Sequence, residues 1–160
     1  MKNTPAIYHR QQHLTHHSLD VDNIGRYKLC FQVGECTCHV VAFDIRSQQC
    51  VLFEKYTLPD EAYTLNQRVD AFQQMIEKHH LLSTASWQKV SFVVQNQSFS
   101  FIPAEFFDVN NVIDTLSLNA EVDTLANHVQ YSEHFAGDLM SVFTIPRAFS
   151  DWLEELYPSS

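Results

Sequence analysis

The sequence predicts an α/β (α+β) fold: a mixed sheet begun by a three-stranded antiparallel meander, with helices packed on it. Three observations predict it. From Tyr27 onward three β-rich runs follow one another with turn residues between them. A run of helical period with a capping signature comes next, and another β-rich run follows that helix. A strand reached through a helix returns parallel to the first.

Residues 1–22 read as a flexible, His-rich lead-in, from which Ile7, Tyr8 and Leu14 can dock on the body. The meander is expected at residues 27–33, 36–44 and 50–58. Gly34-Glu35 puts Gly first in a two-residue link, where a type II′ hairpin requires it. That turn sets Val33 opposite Cys36, Phe31 opposite Cys38 and Cys30 opposite His39. Leu29, Phe31, Val33, Cys36, Cys38 and Val40 then share one apolar face. Thr64-Leu65-Asn66-Gln67 is a capping box, and Leu65, Val69, Phe72 and Ile76 follow at helical spacing. Lys78, His79 and His80 suit the negative end of that helix.

A strand is expected at 87–94, turned by Asn96-Gln97 into a run at 98–102. Pro103 then opens a short helix, and Val109, Val112, Ile113 and Leu116 mark another. Residues 128–133 and 139–145 form a strand pair turned at Phe135-Ala136-Gly137-Asp138, and Pro146 opens a last helix with the stripe Phe149, Trp152, Leu153, Leu156.

A length of 160 residues fits one domain, and a chain of roughly 150 buries about two-thirds of the surface its unfolded form exposes. The net charge is −9, and the ten Lys and Arg are scattered, so the basic face that nucleic acid requires is missing. No run approaches the ~20 apolar residues that span a bilayer. The opening residues lack the apolar core of an export signal, so the expected compartment is the cytoplasm.

Candidate chemistry is sparse. Only Gly25, Gly34 and Gly137 are present, and neither G-x-G-x-x-G nor G-x-x-x-x-G-K occurs. Cys30, Cys36, Cys38 and Cys50 fall in the meander, where thiols in an apolar stripe are structural rather than zinc ligands; His39 points to the face opposite Cys36 and Cys38. Cys30 opposite His39 is a nucleophile–base pair without an orienting third residue. His9, His13, His16 and His17 are the weak metal candidates, spaced to chelate if the segment were helical. Asp151, Glu154 and Glu155 lie on the polar side of an amphipathic helix and read as a solvated face. No catalytic residue and no cofactor are expected.

The order of elements resembles a bacterial domain-of-unknown-function family (number 3822) with an actin-like ATPase, ribonuclease H-like fold. Tyr27-Lys28-Leu29-Cys30-Phe31, Phe99-Ser100-Phe101-Ile102-Pro103-Ala104-Glu105-Phe106-Phe107 and Val142-Phe143-Thr144-Ile145-Pro146 carry the resemblance. A more distant similarity runs to the actin-like cytoplasmic assembly proteins of type IV pili and type II secretion. The resemblance implies that active members place an Asp-x-Gly turn between the first two strands, its carboxylate helping to hold the metal. This chain has Gln32, Val33, Gly34 and Glu35 there. It also implies two lobes, of which residues 23–158 supply one, the N-terminal half. The expected function is thus a non-catalytic scaffold or protein-binding module, with an unknown protein partner or self-association. The alternative is a nucleotide-binding ATPase-like protein whose site a second lobe completes.

Overall fold

The computed structural model describes residues 6–59, 63–84, 86–95, 98–134 and 137–158. They fall into two units, one of residues 1–95 with 153–160 and the other of residues 96–152.

The first unit is built on a five-stranded sheet. Its strands are β1 (His9–Thr15), β2 (Tyr27–Val33), β3 (Thr37–Asp44), β4 (Gln49–Thr57) and β5 (Lys89–Val94), in the order β1-β4-β3-β2-β5. β2, β3 and β4 form the expected antiparallel meander, and β5 lies parallel to β2 as the intervening helix requires. That helix, α1 (Leu65–Glu77), starts at Thr64, whose side chain accepts from the Gln67 N–H while the Gln67 side chain accepts from the Thr64 N–H. Leu29, Phe31, Cys38, Val40, Ala42, Phe72 and Ile76 are all buried. Phe31 stacks on Phe92 at 4.8 Å and meets Phe72 edge-on at 5.8 Å, so aromatic geometry reinforces area burial at the centre of this core. Tyr157 sits beside Phe31 at 6.3 Å, and its hydroxyl donates to the Leu82 carbonyl.

Two expectations are corrected here. The segment read as a flexible lead-in contains β1, antiparallel to β4 along His9–Thr57 through Thr15–Leu52. Every β1 residue is exposed, so the strand shows no apolar alternation in sequence. The first hairpin is also not a two-residue type II′ turn. Its Gly34 does not adopt the positive φ that such a turn demands, and β3 begins only at Thr37. The register is therefore Val33–Cys38, Gln32–His39, Phe31–Val40 and Cys30–Val41. A slip of two residues preserves which side chains face the core, so the apolar face survives the error.

The second unit contains a three-stranded antiparallel sheet, β6 (Phe99–Pro103), β7 (Asn127–His134) and β8 (Leu139–Pro146), in the order β6-β8-β7. Short 3₁₀ turns at Ala104–Phe106 and Val109–Asn111 lead into α2 (Val112–Ser117). Asn119 donates to Ser100 Oγ at 2.9 Å, fixing the end of that helical segment to β6. α3 (Arg147–Leu156) follows β8. Pro103 and Pro146 do not open helices as expected. Each is the last residue of its strand, a place where the missing N–H is tolerated, and the helical turn starts one residue later. The Asn96-Gln97 turn and the Phe135-Ala136 part of the last turn lie outside the described residues.

Candidate functional site

The turn that the resemblance implies is a degenerate phosphate position is bridged by a backbone hydrogen bond. Gly34 donates its N–H to the Thr37 carbonyl at 2.8 Å, so that amide is occupied within the turn. A methyl group at Gly34 would come within 2.9 Å of Thr37 Oγ1 and 3.2 Å of Gln95 Oε1. Glycine serves here for close packing, with no positive φ involved. Gln32 sits in the ladder opposite His39 with its side chain exposed, and Val33 pairs with Cys38. Glu35 forms an ion pair with Arg68 at 3.0 Å, while Arg68 Nε holds the Tyr63 carbonyl. The turn's carboxylate is thus paired with a cation, and the Gln32 side chain lies outside the turn, on β2.

Cys30 faces Val41 across the ladder, so the proposed pairing with His39 is not formed. Burial pushes the Cys38 thiol well above its ordinary range and the Cys30 thiol in the same direction. Cys50 is exposed, and Cys36 is half-buried in the turn. Among the described residues no group of three or more His, Cys, Asp or Glu is placed to hold a metal ion. The four N-terminal histidines occupy a strand and its exit in place of a helix. His9 stands opposite Thr57, His16 Nδ1 lies 2.7 Å from Ser18 Oγ, and the His16 and His17 rings lie 4.1 Å apart. On α3, Asp151 approaches His128 at 3.0 Å, whereas Glu154 and Glu155 are exposed.

The concentrated electrostatics lie elsewhere, at Glu54 in β4. Its side chain is 0 % exposed, on the same sheet face as Val40 and Tyr56. Oε1 accepts from Arg10 at 3.1 Å and faces His13 Nδ1 at 2.6 Å; an ionised carboxylate only accepts, so His13 carries its proton on Nδ1. Oε2 accepts from the Tyr56 hydroxyl at 2.8 Å. Burial, and then the Glu54 charge, push that hydroxyl upward and keep it a donor.

His79 completes the cluster from the segment after α1. Its Nδ1 accepts from the N–H groups of Leu81 and Leu82, both at 3.2 Å, so the proton resides on Nε2. Nε2 lies 3.1 Å from Glu54 Oε2, and this contact lowers the Glu54 pKa. Burial alone would raise the Glu54 pKa. The contacts from His79, Tyr56 and His13 outweigh it and hold the group at about 2.

A β-bulge makes this cluster possible. Between Arg10 and Gln12 the register advances by one extra residue on β1, leaving Arg10 opposite Tyr56 and His13 opposite Glu54. Residues three apart on a regular strand would point to opposite faces; the bulge at Gln11 brings both to Glu54. Beside the cluster is an open cavity of about 270 Å³, walled by β1, β4 and α1. The sequence reading missed this site. Its available signal was a charged residue in the apolar phase of a strand, in the pattern Leu52-Glu54-Tyr56.

Comparison with known proteins gives the setting. The sequence pattern of a family described as "Protein of unknown function (DUF3822)" matches residues 16–160. No curated protein sequence matches. A solved structure from Bacteroides thetaiotaomicron VPI-5482, described as a protein with actin-like ATPase fold and unknown function, superposes with a TM-score of 0.76 at 18% identity. The alignment covers 88% of this chain and 52% of that one, so this chain spans about half the length of its structural neighbour. The likeness establishes an actin-like fold. No helix among the described residues is long and apolar enough to cross a membrane.

Proposed function

We propose that this chain, which belongs to the DUF3822 family of proteins of unknown function, is a non-catalytic actin-like binding module. The observation that carries the reading is the first hairpin. An amide, Gln32, stands where the resemblance implies a metal-directed carboxylate, the Glu35 carboxylate is held by Arg68, and the Gly34 N–H is already engaged by Thr37. The first withholds a ligand from a cation, and the last withholds a backbone donor from a phosphate.

The function in this reading is protein binding in the cytoplasm, of the kind served by the actin-like assembly proteins of type IV pili and type II secretion. Exposed aromatic surface in the second unit supports it, since Phe99 and Phe101 meet edge-on at 5.4 Å and stay 45% and 58% exposed. Light scattering separates the two kinds of partner: a dimer means self-association, and a monomer means a different protein.

A second reading is favoured by the length of the structural neighbour, nearly twice the aligned part. In it residues 23–158 are the N-terminal half of a two-lobed protein whose second lobe completes a nucleotide site. Thermal unfolding distinguishes the readings. ATP with magnesium is expected to leave the melting temperature of the chain unchanged, and of any longer protein containing it. A rise of several degrees, as ligand at about 100 Kd gives, supports the second reading.

A further inference from the structure

We propose that the open edge of β6 pairs with the same strand of a second copy of this chain, antiparallel about a two-fold axis at Ser100. The inference rests on the binding-module reading and names its partner. Each sheet has two edge strands, β1 and β5 in the first unit and β6 and β7 in the second. Three of them carry charge or histidine: Arg10, His9 and His13 on β1, Lys89 on β5, and Glu133 with His128 and His134 on β7. Such side chains discourage the addition of a strand at an edge. β6, with Phe99-Ser100-Phe101-Ile102-Pro103, carries none.

The hydrogen-bond phase of β6 determines what its edge offers. The Ser98 carbonyl accepts from the Thr144 N–H at 3.2 Å, and the Ala104 N–H donates to the Asp138 carbonyl at 3.1 Å. In an antiparallel ladder the residues that bond one neighbour alternate with those that face the other side. Ser98, Ser100, Ile102 and Ala104 therefore turn their backbone groups to β8, and Phe99, Phe101 and Pro103 turn theirs to the open edge. Among the described residues the N–H and C=O groups of Phe99 and Phe101 have no partner. Both residues are exposed, on one face of the sheet.

This pattern selects a second copy as the occupant. With Phe99 opposite Phe101 of the second copy, and Phe101 opposite its Phe99, each of those N–H and C=O groups meets its complement across the axis. The same register sets aromatic against aromatic on one face, a favourable cross-strand pair. A strand from another protein satisfies the backbone groups alone, whereas the aromatic match needs Phe at both facing positions. Shifting the pairing by two residues puts Phe99 opposite Pro103, which has no N–H to give the Phe99 carbonyl. Self-pairing also brings no like charges together along the strand, although the chain carries a net charge of −9.

The test is sedimentation equilibrium of the full chain from about 1 μM to about 1 mM at moderate ionic strength. A strand pair this short buries less than a standard interface, so a monomer–dimer equilibrium with a dissociation constant of about 10–100 μM is expected. Phe101→Lys is expected to weaken it at least about tenfold, while Gln130→Lys, the same charge at an exposed position of β7, leaves it unchanged. Amide exchange of the wild-type chain gives a second measurement that needs no variant. The Phe99 and Phe101 N–H groups should exchange more slowly as concentration rises, and those of β1, β5 and β7 should not change. A monomer throughout the range, an assembly larger than a dimer, a dimer insensitive to Phe101→Lys, or slowed exchange confined to other strands would each overturn the proposal. A monomer whose melting temperature ATP leaves unchanged sinks this inference alone and makes the partner a different protein; a rise with ATP counts against the binding-module reading instead.

Discussion

Glu54 is a single acidic residue that stitches together three pieces of chain remote in sequence: β1 through Arg10 and His13, β4 through Tyr56, and the end of the α1 segment through His79. A buried carboxylate with this many partners is costly to leave half-satisfied. Its pKa is about 2 in the folded protein against an ordinary 4.5. The folded value is depressed, so the stabilisation is fully present above about pH 4.5 and fades as the pH falls toward 2, amounting to about 3 kcal/mol. In Glu54→Gln that acid-dependent loss disappears. Urea unfolding of both proteins between pH 5 and pH 2 checks it, and parallel curves would show that Glu54 contributes no such linkage. Sequence placed Glu54 within the strand expected at 50–58 and did not single it out. It did not reveal the partners, because they come from a segment with no apolar period and from a histidine beyond a helix end.

Elements were legible where a periodic apolar face or a cap specified them. The Thr64–Gln67 capping box and the meander followed directly from side-chain chemistry. Thr64→Ala is expected to cost about 1 kcal/mol, measured by chemical denaturation; a change near zero would mean that tertiary packing alone sets the start of α1. β1 was illegible because an edge strand with every residue exposed carries no alternation. The hairpin register was misjudged by two residues because Gly34 is required for close packing against Thr37 and Gln95, a role that sequence does not distinguish from a positive φ.

The bulge in β1 gives a further test at this scale. Deleting Gln11 removes the extra residue and leaves Arg10 opposite Tyr56 and His13 opposite Glu54, now on a regular strand. The deletion variant is expected to stay folded and to keep the acid-dependent stability of the wild type. Loss of that dependence would mean that the bulge itself is needed to hold β1.

At the scale of the whole molecule, period and connection length marked the antiparallel meander and the parallel return of β5, whereas the actin-like class came from the family resemblance. It did not show the division into units at residues 95–96 and 152–153, where no composition shift marks a boundary. Nor did it show the cavity beside Glu54, which depends on the β1 register. In the non-catalytic reading proposed above, the first hairpin takes no nucleotide because its Gly34 N–H is engaged by the Thr37 carbonyl.

The most direct measurement is therefore the dissociation constant of the chain for magnesium–ATP, by calorimetry at moderate ionic strength. The account predicts no saturable heat up to millimolar nucleotide. A constant in the micromolar range, abolished by substitutions at Gln32 or Gly34, would contradict it.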